Sequence, residues 1–402
     1  MPETATEFPM TPPLARRALH AAALVFAVSA LGPGNPDEAR AQGKAEVFST
    51  EKGRISVTTV ADGLASPWGI SFLPDGRMIV TEKPGTLRLV AADGTVSDPI
   101  DGVPAVDPRG QGGLLDVTLH PDFAANRLVY LSYAEPGPNG TNSTAVARGA
   151  LSADGASLEN VAVVFSQKPK VRSIRHYGSR IVFAPDGKMF VTTGERSDRE
   201  FRGQAQDLDS HLGKVIRLFD DGRVPQDNPF VGRAGALPEI WSYGHRNIQG
   251  AAIHPQTGRL WAIEHGPRGG DEINIPAAGA NYGWPVVSHG VEYSGAEVGT
   301  GQKDAPGMAD PIVTWTPVIA PGGMTFYTAG LFPAWQGNLL IGGLRSQSLV
   351  RLELDGEKVV HEERLLREMG NRIRDVAVGP DGAVYVVTDE KSGKILRIAP
   401  AG

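Results

Sequence analysis

Six times along this chain a Pro-centred turn is followed by a short apolar strand, and no other feature restricts its fold so sharply. The copies are Leu73-Pro-Asp-Gly-Arg-Met-Ile-Val80, His120-Pro-Asp-Phe with Leu128-Val-Tyr-Leu131, Ala184-Pro-Asp-Gly-Lys-Met-Phe-Val191, His254-Pro-Gln-Thr-Gly-Arg-Leu-Trp261, Phe332-Pro-Ala-Trp-Gln-Gly-Asn-Leu-Leu340 and Gly379-Pro-Asp-Gly-Ala-Val-Tyr-Val386. Pro fixes φ at the first turn position and Gly accepts positive φ at the last, which suits a tight hairpin. A second patterned strand precedes each turn: Gly69-Ile-Ser-Phe72, Asp116-Val-Thr-Leu119, Arg180-Ile-Val-Phe183, Gln249-Gly-Ala-Ala-Ile253, Gly323-Met-Thr-Phe326 and Asp375-Val-Ala-Val378.

Counted from Pro to Pro, the copies lie 47 to 78 residues apart. That interval holds a four-stranded antiparallel unit with variable loops. Six such units predict an all-β chain, a six-bladed β-propeller of four-stranded antiparallel blades, which closes on itself and hides its sheet edges. Arg54-Ile-Ser-Val-Thr-Thr-Val60 is placed to close the last blade against C-terminal strands such as Lys394-Ile-Leu-Arg-Ile398. Two β-sandwiches with Pro-Asp-Gly turns are the alternative, and six matched copies weigh against them. The 50 Gly and 31 Pro agree with a turn-rich chain. No helix-period segment is long enough for an α/β domain.

Residues 1–41 read as an export signal. Arg16 and Arg17 precede an apolar run from Ala18 to Leu31, too short to span a bilayer, and Ala39-Arg40-Ala41 fits an A-x-A cleavage site. The expected mature chain, residues 42–402, is one propeller domain in the bacterial periplasm or secreted. The paired arginines leave a twin-arginine route open, and an uncleaved anchor is the weaker alternative. No later segment is long and apolar enough to cross a membrane. The chain has no Cys, which excludes disulfides and thiolate metal sites. Its formal charge is −6, or −5 beyond residue 41, because the first 41 residues carry three Arg and four acidic residues. That argues against nucleic acid as a partner. A concentration of arginines therefore needs a local reason.

In a propeller the loops before and after the repeated strands converge on the central channel. Here those loops are loaded: Gly110-Gln-Gly-Gly-Leu-Leu-Asp116, Arg175-His-Tyr-Gly-Ser-Arg180, Gly244-His-Arg-Asn-Ile-Gln249, Leu344-Arg345-Ser346 and Asn371-Arg-Ile-Arg-Asp375. Together they offer Arg246, Arg345, Arg372 and Arg374 to one end of the barrel. Converging guanidiniums in an acidic protein predict an anionic ligand held by charge-assisted bonds. Any one of them alone reads equally as a surface charge or a structural ion pair. His176 stands in the same ring. It suits a general base for an alcohol proton, and it suits a hydrogen-bonded inter-blade His. His245 and His265 are weaker candidates, and His120 and His254 are expected to cap their turns. Carbonyls of Gly266-Pro267 could bind a hard cation, and Asp271-Glu272 with Tyr282 could add oxygen ligands to a second site. No dinucleotide fingerprint, nucleophile elbow, EF-hand loop or zinc spacing occurs.

Three motifs in this order carry a family resemblance: Gly244-His-Arg-Asn-Ile-Gln-Gly250, Gly266-Pro267 followed by Asp271-Glu-Ile-Asn274, and Asn281-Tyr-Gly-Trp-Pro285. With Gly63-Leu-Ala-Ser-Pro-Trp-Gly69 and Arg372-Ile-Arg-Asp375, the chain resembles the soluble pyrroloquinoline quinone (PQQ)-dependent sugar dehydrogenases, the glucose/sorbosone dehydrogenase family, in its aldose sugar dehydrogenase branch. The resemblance implies that Gln111, Arg246, Asn247, Arg345, Arg372 and Arg374 hold PQQ, a tricarboxylic quinone. It implies that the Gly266 and Pro267 carbonyls bind a Ca²⁺ that also polarises the quinone, and that Glu272 and Tyr282 serve a second, structural Ca²⁺. His176 would take the C1-hydroxyl proton of an aldose while hydride passes to C5 of PQQ. The product would be a lactone, and an external acceptor would take the electrons.

The sequence departs from glucose-specialised members at two charged positions: Glu195 where they carry Asp, and Arg345 where they carry Lys. Long inserted loops of those members are also missing. An open site with broad aldose use, in a monomer or weak dimer, follows as an expectation. A Ca²⁺-dependent propeller lactonase and a non-catalytic binding propeller are the competing classes. The first needs channel carboxylates where this chain brings arginines, and the second would tolerate loss of His176.

Overall fold

The computed structural model describes residues 45–402. The signal segment and its cleavage point therefore lie outside the described residues. The fold is a six-bladed β-propeller of antiparallel sheets. Its innermost strands are Pro67–Phe72, Leu114–Leu119, Gly178–Phe183, Ile248–Ile253, Pro321–Phe326 and Ile373–Val378. Each pairs with the strand that follows its Pro turn. In the three Pro-Asp-Gly copies the turn glycines Gly76, Gly187 and Gly382 sit at φ +87°, +77° and +78°, where a side chain would be strained. His120 and His254 cap their turns as expected. Nδ1 of His120 accepts from the Asp122 N–H at 3.0 Å, and Nδ1 of His254 accepts from Gln256 N–H at 3.3 Å.

Four blades have four strands, the first has three and the sixth has five. The sixth is closed by the N-terminal strand Gly53–Ala65, which pairs with Ser392–Pro400, and Glu46–Thr50 adds an outer strand. Ring closure is thus made between chain ends, as the sequence suggests, and no inner edge is left open. Alternating apolar residues of adjacent blades fill the gaps between sheets. Trp261 and Ile263 of the fourth blade meet Phe326, Leu339 and Ile341 of the fifth. At the closure Ile55 and Val57 join Val376, Leu396 and Ile398. Such burial contributes on the order of 25 cal/mol per Å² of apolar surface.

Every innermost strand carries a β-bulge at the same point, next to the channel. A bulge puts an extra residue on the strand and re-aims the side chains beyond it. Just inside the bulges the six equivalent positions are Gly69, Asp116, Arg180, Gly250, Gly323 and Asp375. Three glycines leave room for one ion triad. Arg180 meets Asp116 at 2.7 Å and Asp375 at 2.9 Å, and its Nε donates to the Gln249 carbonyl at 2.7 Å. The two carboxylates also accept from Ile181 N–H and Ile70 N–H of neighbouring blades. A Cβ on Gly323 would stand 1.7 Å from Asp375 Oδ1, so only glycine fits there. Burial pushes the Asp116 carboxyl up to about 6 against the pull of Arg180. This triad is the floor of the channel.

Candidate functional site

One step above that floor the equivalent positions are Trp68, Leu115, Ser179, Gln249, Gly322 and Arg374. Five of the six line a cavity of about 270 Å³ on the propeller axis. The next tier comes from the residue that follows each blade's second strand. Lys83, His265, Leu344 and Asp389 occupy this position, each donating its N–H to the residue ahead of the adjacent inner strand. All four line the same cavity, with Gln111, Asn247 and Arg372.

The cavity's charged groups are three cations and one carboxylate. Asp389 is held by Arg372 at 3.0 Å and Arg374 at 2.9 Å. Burial pushes its carboxyl up, but Arg374 and Arg372 outweigh this and hold it below its usual range. Arg374 also donates to Gln249 Oε1 at 3.2 Å and lies over the Trp68 ring. Lys83 donates to the Gly110 carbonyl at 3.0 Å, and burial, then Arg374, pulls its ammonium below its usual value. Gln111 spends its Oε1 on the His176 N–H at 2.8 Å, and Asn247 spends its Oδ1 on Gly178 N–H at 3.1 Å. Both amide NH₂ groups remain for a ligand. The set is donor-rich and cationic, which fits a flat polycarboxylate such as PQQ.

His176 is buried beside this cavity at φ +49°. Two bonds hold the strained residue: Gln111 on its N–H and Glu195 on its ring, with Nδ1 to Oε1 at 3.2 Å. Glu195 is buried. Its other oxygen accepts from Ser197 N–H, and its own N–H donates to the Arg246 carbonyl. Burial raises the Glu195 pKa, but His176 and then Arg246 bring it below its ordinary value. A carboxylate on Nδ1 fixes the proton there and leaves Nε2 with a lone pair. Burial, then Arg246, lowers the His176 pKa, so the ring is neutral near pH 7. This arrangement is a ready proton acceptor.

Arg246 occupies a neighbouring position rather than the axial cavity. Its Nη1 donates to the His265 carbonyl at 2.9 Å, its guanidinium lies 5.0 Å from the Trp284 ring centre, and its buried Nε has no partner. Glu264 anchors the segment by accepting from Arg246 N–H and from His245 Nδ1. Burial drives His265 down to about 3. Its Nε2 is 2.7 Å from the Pro321 carbonyl, so it is a neutral donor between two cavities.

The second cavity is small, about 20 Å³, and Gly266, Pro267, Glu264, Glu272 and Tyr282 all line it. The two separate cation sites expected from sequence therefore share one lining. The volume is that of a single water-sized sphere. Burial, then Glu264, pushes Glu272 up to about 8, and burial pushes Asp271 up to about 6. Glu264 and Glu272 line the cavity with no Lys or Arg salt bridge among the described residues, which fits a hard cation there. No group of three or more His, Asp or Glu suited to a metal occurs among the described residues, so carbonyl oxygens would have to complete the shell. The Tyr282 hydroxyl is already engaged, donating to the Ile275 carbonyl at 2.7 Å.

The four arginines do not all converge. Arg372 and Arg374 line the axial cavity and Arg246 flanks it, but Arg345 is exposed and lines neither cavity. Leu344 takes the inward position at the end of its strand, and strand alternation turns the next side chain away. Lys83, Asp389, Trp68 and Gln249 were not singled out from sequence. Extending the repeat alignment by one residue past each second strand would have found Lys83 and Asp389.

Four similarities bear on this site. The chain matches the family model described as Glucose / Sorbosone dehydrogenase over residues 64–397. It is 45% identical over 348 residues to the aldose sugar dehydrogenase YliI of Escherichia coli (strain K12), covering 86% of this chain and 93% of that protein. Among solved structures it is similar to the soluble aldose sugar dehydrogenase from E. coli in its apo form. There the TM-score is 0.83 at 45% identity, over 86% of this chain and all of that one. It is also similar to the PQQ-bound form of an aldose sugar dehydrogenase from Streptomyces coelicolor. There the TM-score is 0.70 at 31% identity, over 89% of this chain and 100% of that one.

Proposed function

The chain belongs to the glucose/sorbosone dehydrogenase family, and from that premise we propose that it is a PQQ-dependent aldose dehydrogenase, oxidising the sugar at C1 to the lactone. The observation that carries this reading is the pairing of a neutral, Glu195-oriented His176 with a cationic axial cavity. Lys83, Arg372 and Arg374 would hold the carboxylates of PQQ, with Gln111 and Asn247 donating from the rim. When bound there, the quinone supplies a two-electron acceptor. Nε2 of His176 takes the proton of the anomeric hydroxyl as the C1 hydrogen departs with its electron pair. Arg246, next to that ring, is placed to stabilise the oxygen that loses the proton. Burial of the residue keeps the ring neutral until it acts. An external acceptor then removes the electrons.

Ca²⁺ belongs to the proposal through Gly266, Pro267, Glu272 and Tyr282, which line one ion-sized cavity. The lactonase alternative needs carboxylates free to bind a metal on the axis, and the axial cavity's one carboxylate, Asp389, is held by two arginines. Residues 1–41 are proposed as a cleaved export signal, with the domain at 42–402 acting in the periplasm. Among the described residues no helix is long and apolar enough to cross a membrane.

The test is reconstitution. Purified apo-protein is supplied with PQQ and Ca²⁺, and the cofactor's absorbance is followed as aldoses are added without acceptor. Bleaching by several aldoses is expected. PQQ binding with no spectral change for any sugar would overturn the reading.

A further inference from the structure

Three arginines near the mouth have no part in the site above. Arg109, Arg172 and Arg175 surround an open groove of about 330 Å³ that also includes Asp198 and Ile174. Arg109 is paired with Asp107 below and reaches the Gly140 carbonyl at 3.2 Å. Arg172 donates only to the Asn139 carbonyl, at 3.0 Å. Among the described residues neither Arg172 nor Arg175 has a carboxylate partner. Between them Ile174 is 41% exposed, one of the few large apolar side chains left in water.

The groove and the axial cavity share a wall. Gln111, which lines the cavity, donates its N–H to the Ile174 carbonyl at 2.8 Å, and Lys83 of the cavity bonds the Gly110 carbonyl. His176 directly follows Arg175. An apolar centre ringed by arginines has the composition of a protein interface, where Arg is enriched and apolar contact dominates the core. In a chain of net charge −6 such a cationic island is a local exception, and it is the place on this face where an acidic partner would be attracted.

We propose that this groove docks the external electron acceptor, and that the acceptor is a one-electron carrier protein with an acidic face. The inference rests on the aldose oxidation reading. Each turnover takes two electrons and two protons from the sugar. Two equivalents of the carrier accept one electron each, and the protons pass to solvent. Unpaired Arg172 and Arg175 steer the acidic face, and Ile174 gives it an apolar seat beside the mouth.

The test uses the PQQ- and Ca²⁺-loaded enzyme and two forms of one carrier: basic mitochondrial-type cytochrome c, and the same protein with its lysines succinylated. Sugar first reduces the enzyme without acceptor; the second-order rate of reoxidation is then measured. At about 10 mM ionic strength, where charges act over roughly 30 Å, the succinylated form is expected to react at least about tenfold faster, within the usual range of electrostatic steering. The advantage should fade in ~1 M salt. The double variant R172E/R175E should remove or invert it and leave reduction by sugar unchanged. R172E alone, at an exposed position, should give a smaller change in the same direction.

Equal rates for the two carriers, or a variant that slows both alike, overturns the docking proposal and leaves sugar oxidation standing. A variant that slows reduction by a hexuronate but spares the hexose assigns the groove to substrate, which also overturns it. Failure of every sugar to reduce the loaded wild type removes the oxidation reading itself.

Discussion

Glu195→Gln is the sharpest probe of the proton-transfer assignment. Glu195 Oε1 faces His176 Nδ1 at 3.2 Å, and its other oxygen accepts from Ser197 N–H. A glutamine can satisfy only one of these donors. If its NH₂ faces the ring, Nδ1 must become the acceptor, the proton moves to Nε2, and the base is blocked. If its NH₂ faces Ser197, two donors oppose each other in a buried site, at about 1–3 kcal/mol. The removed charge would also lower the His176 pKa further, because Glu195 is what supports its protonated form. General-base catalysis contributes roughly 10²–10⁴ in rate. The expected loss in kcat is therefore of that size, about 2.7–5.4 kcal/mol at 1.36 kcal/mol per tenfold. Affinity for PQQ should change little, since Glu195 does not line the axial cavity. The assay is single-turnover reduction of the loaded enzyme by an aldose, alongside a PQQ titration followed by absorbance. Reduction within about threefold of wild type, or loss of PQQ binding in proportion to rate, would refute the reasoning. Glu195→Asp keeps the charge but shortens the reach, so an intermediate rate is expected.

Other consequences are equally direct. Because burial and Arg246 hold His176 below the ordinary imidazole pKa, the base stays competent down through neutral pH; the acid limb of the single-turnover rate should fall below 6.5, and a midpoint above 7 would contradict the assignment. His176→Ala should abolish reduction and leave PQQ affinity within a few-fold, by spectral titration. Arg374→Ala removes a cation from the axial cavity and should weaken PQQ by about 10- to 150-fold, as a charge-assisted bond of ~1.5–3 kcal/mol implies, whereas Arg345→Ala should have little effect; equal losses would mean that Arg345 swings inward. Asp375→Asn or Gly323→Ala disturbs the floor triad around Arg180, and breaking such a buried pair typically costs about 3–5 kcal/mol; a urea midpoint like that of wild type would show the triad to be dispensable. Glu272→Gln should shrink the Ca²⁺-induced rise in melting temperature, and an unchanged rise would place the ion elsewhere.

Much of the fold was legible in the chain itself. Pro-Asp-Gly turns and strand alternation are local, short-range signals, and six copies at blade-length intervals require a closed ring. The closing role of Arg54–Val60 was legible too, since an orphan strand at one end of such a ring needs the other end. Gln111, Asn247, Arg372 and Arg374, and His176 beside them, could be singled out because they sit in pre-strand loops, which a propeller sends to its axis. Tertiary structure alone decided which residues of those loops face inward. The bulge in each inner strand shifts the pleat, and a bulge is visible only in strand pairing. Where each second strand ends is also fixed by pairing, and that end point puts Leu344 rather than Arg345, and likewise Lys83 and Asp389, on the cavity. Partnership across blades is equally silent in sequence: Arg180 finds Asp116 and Asp375, 64 residues before it and 195 after it, only because the ring closes. Sequence determines which chemistry a loop carries. The geometry of the closed ring decides which of it meets.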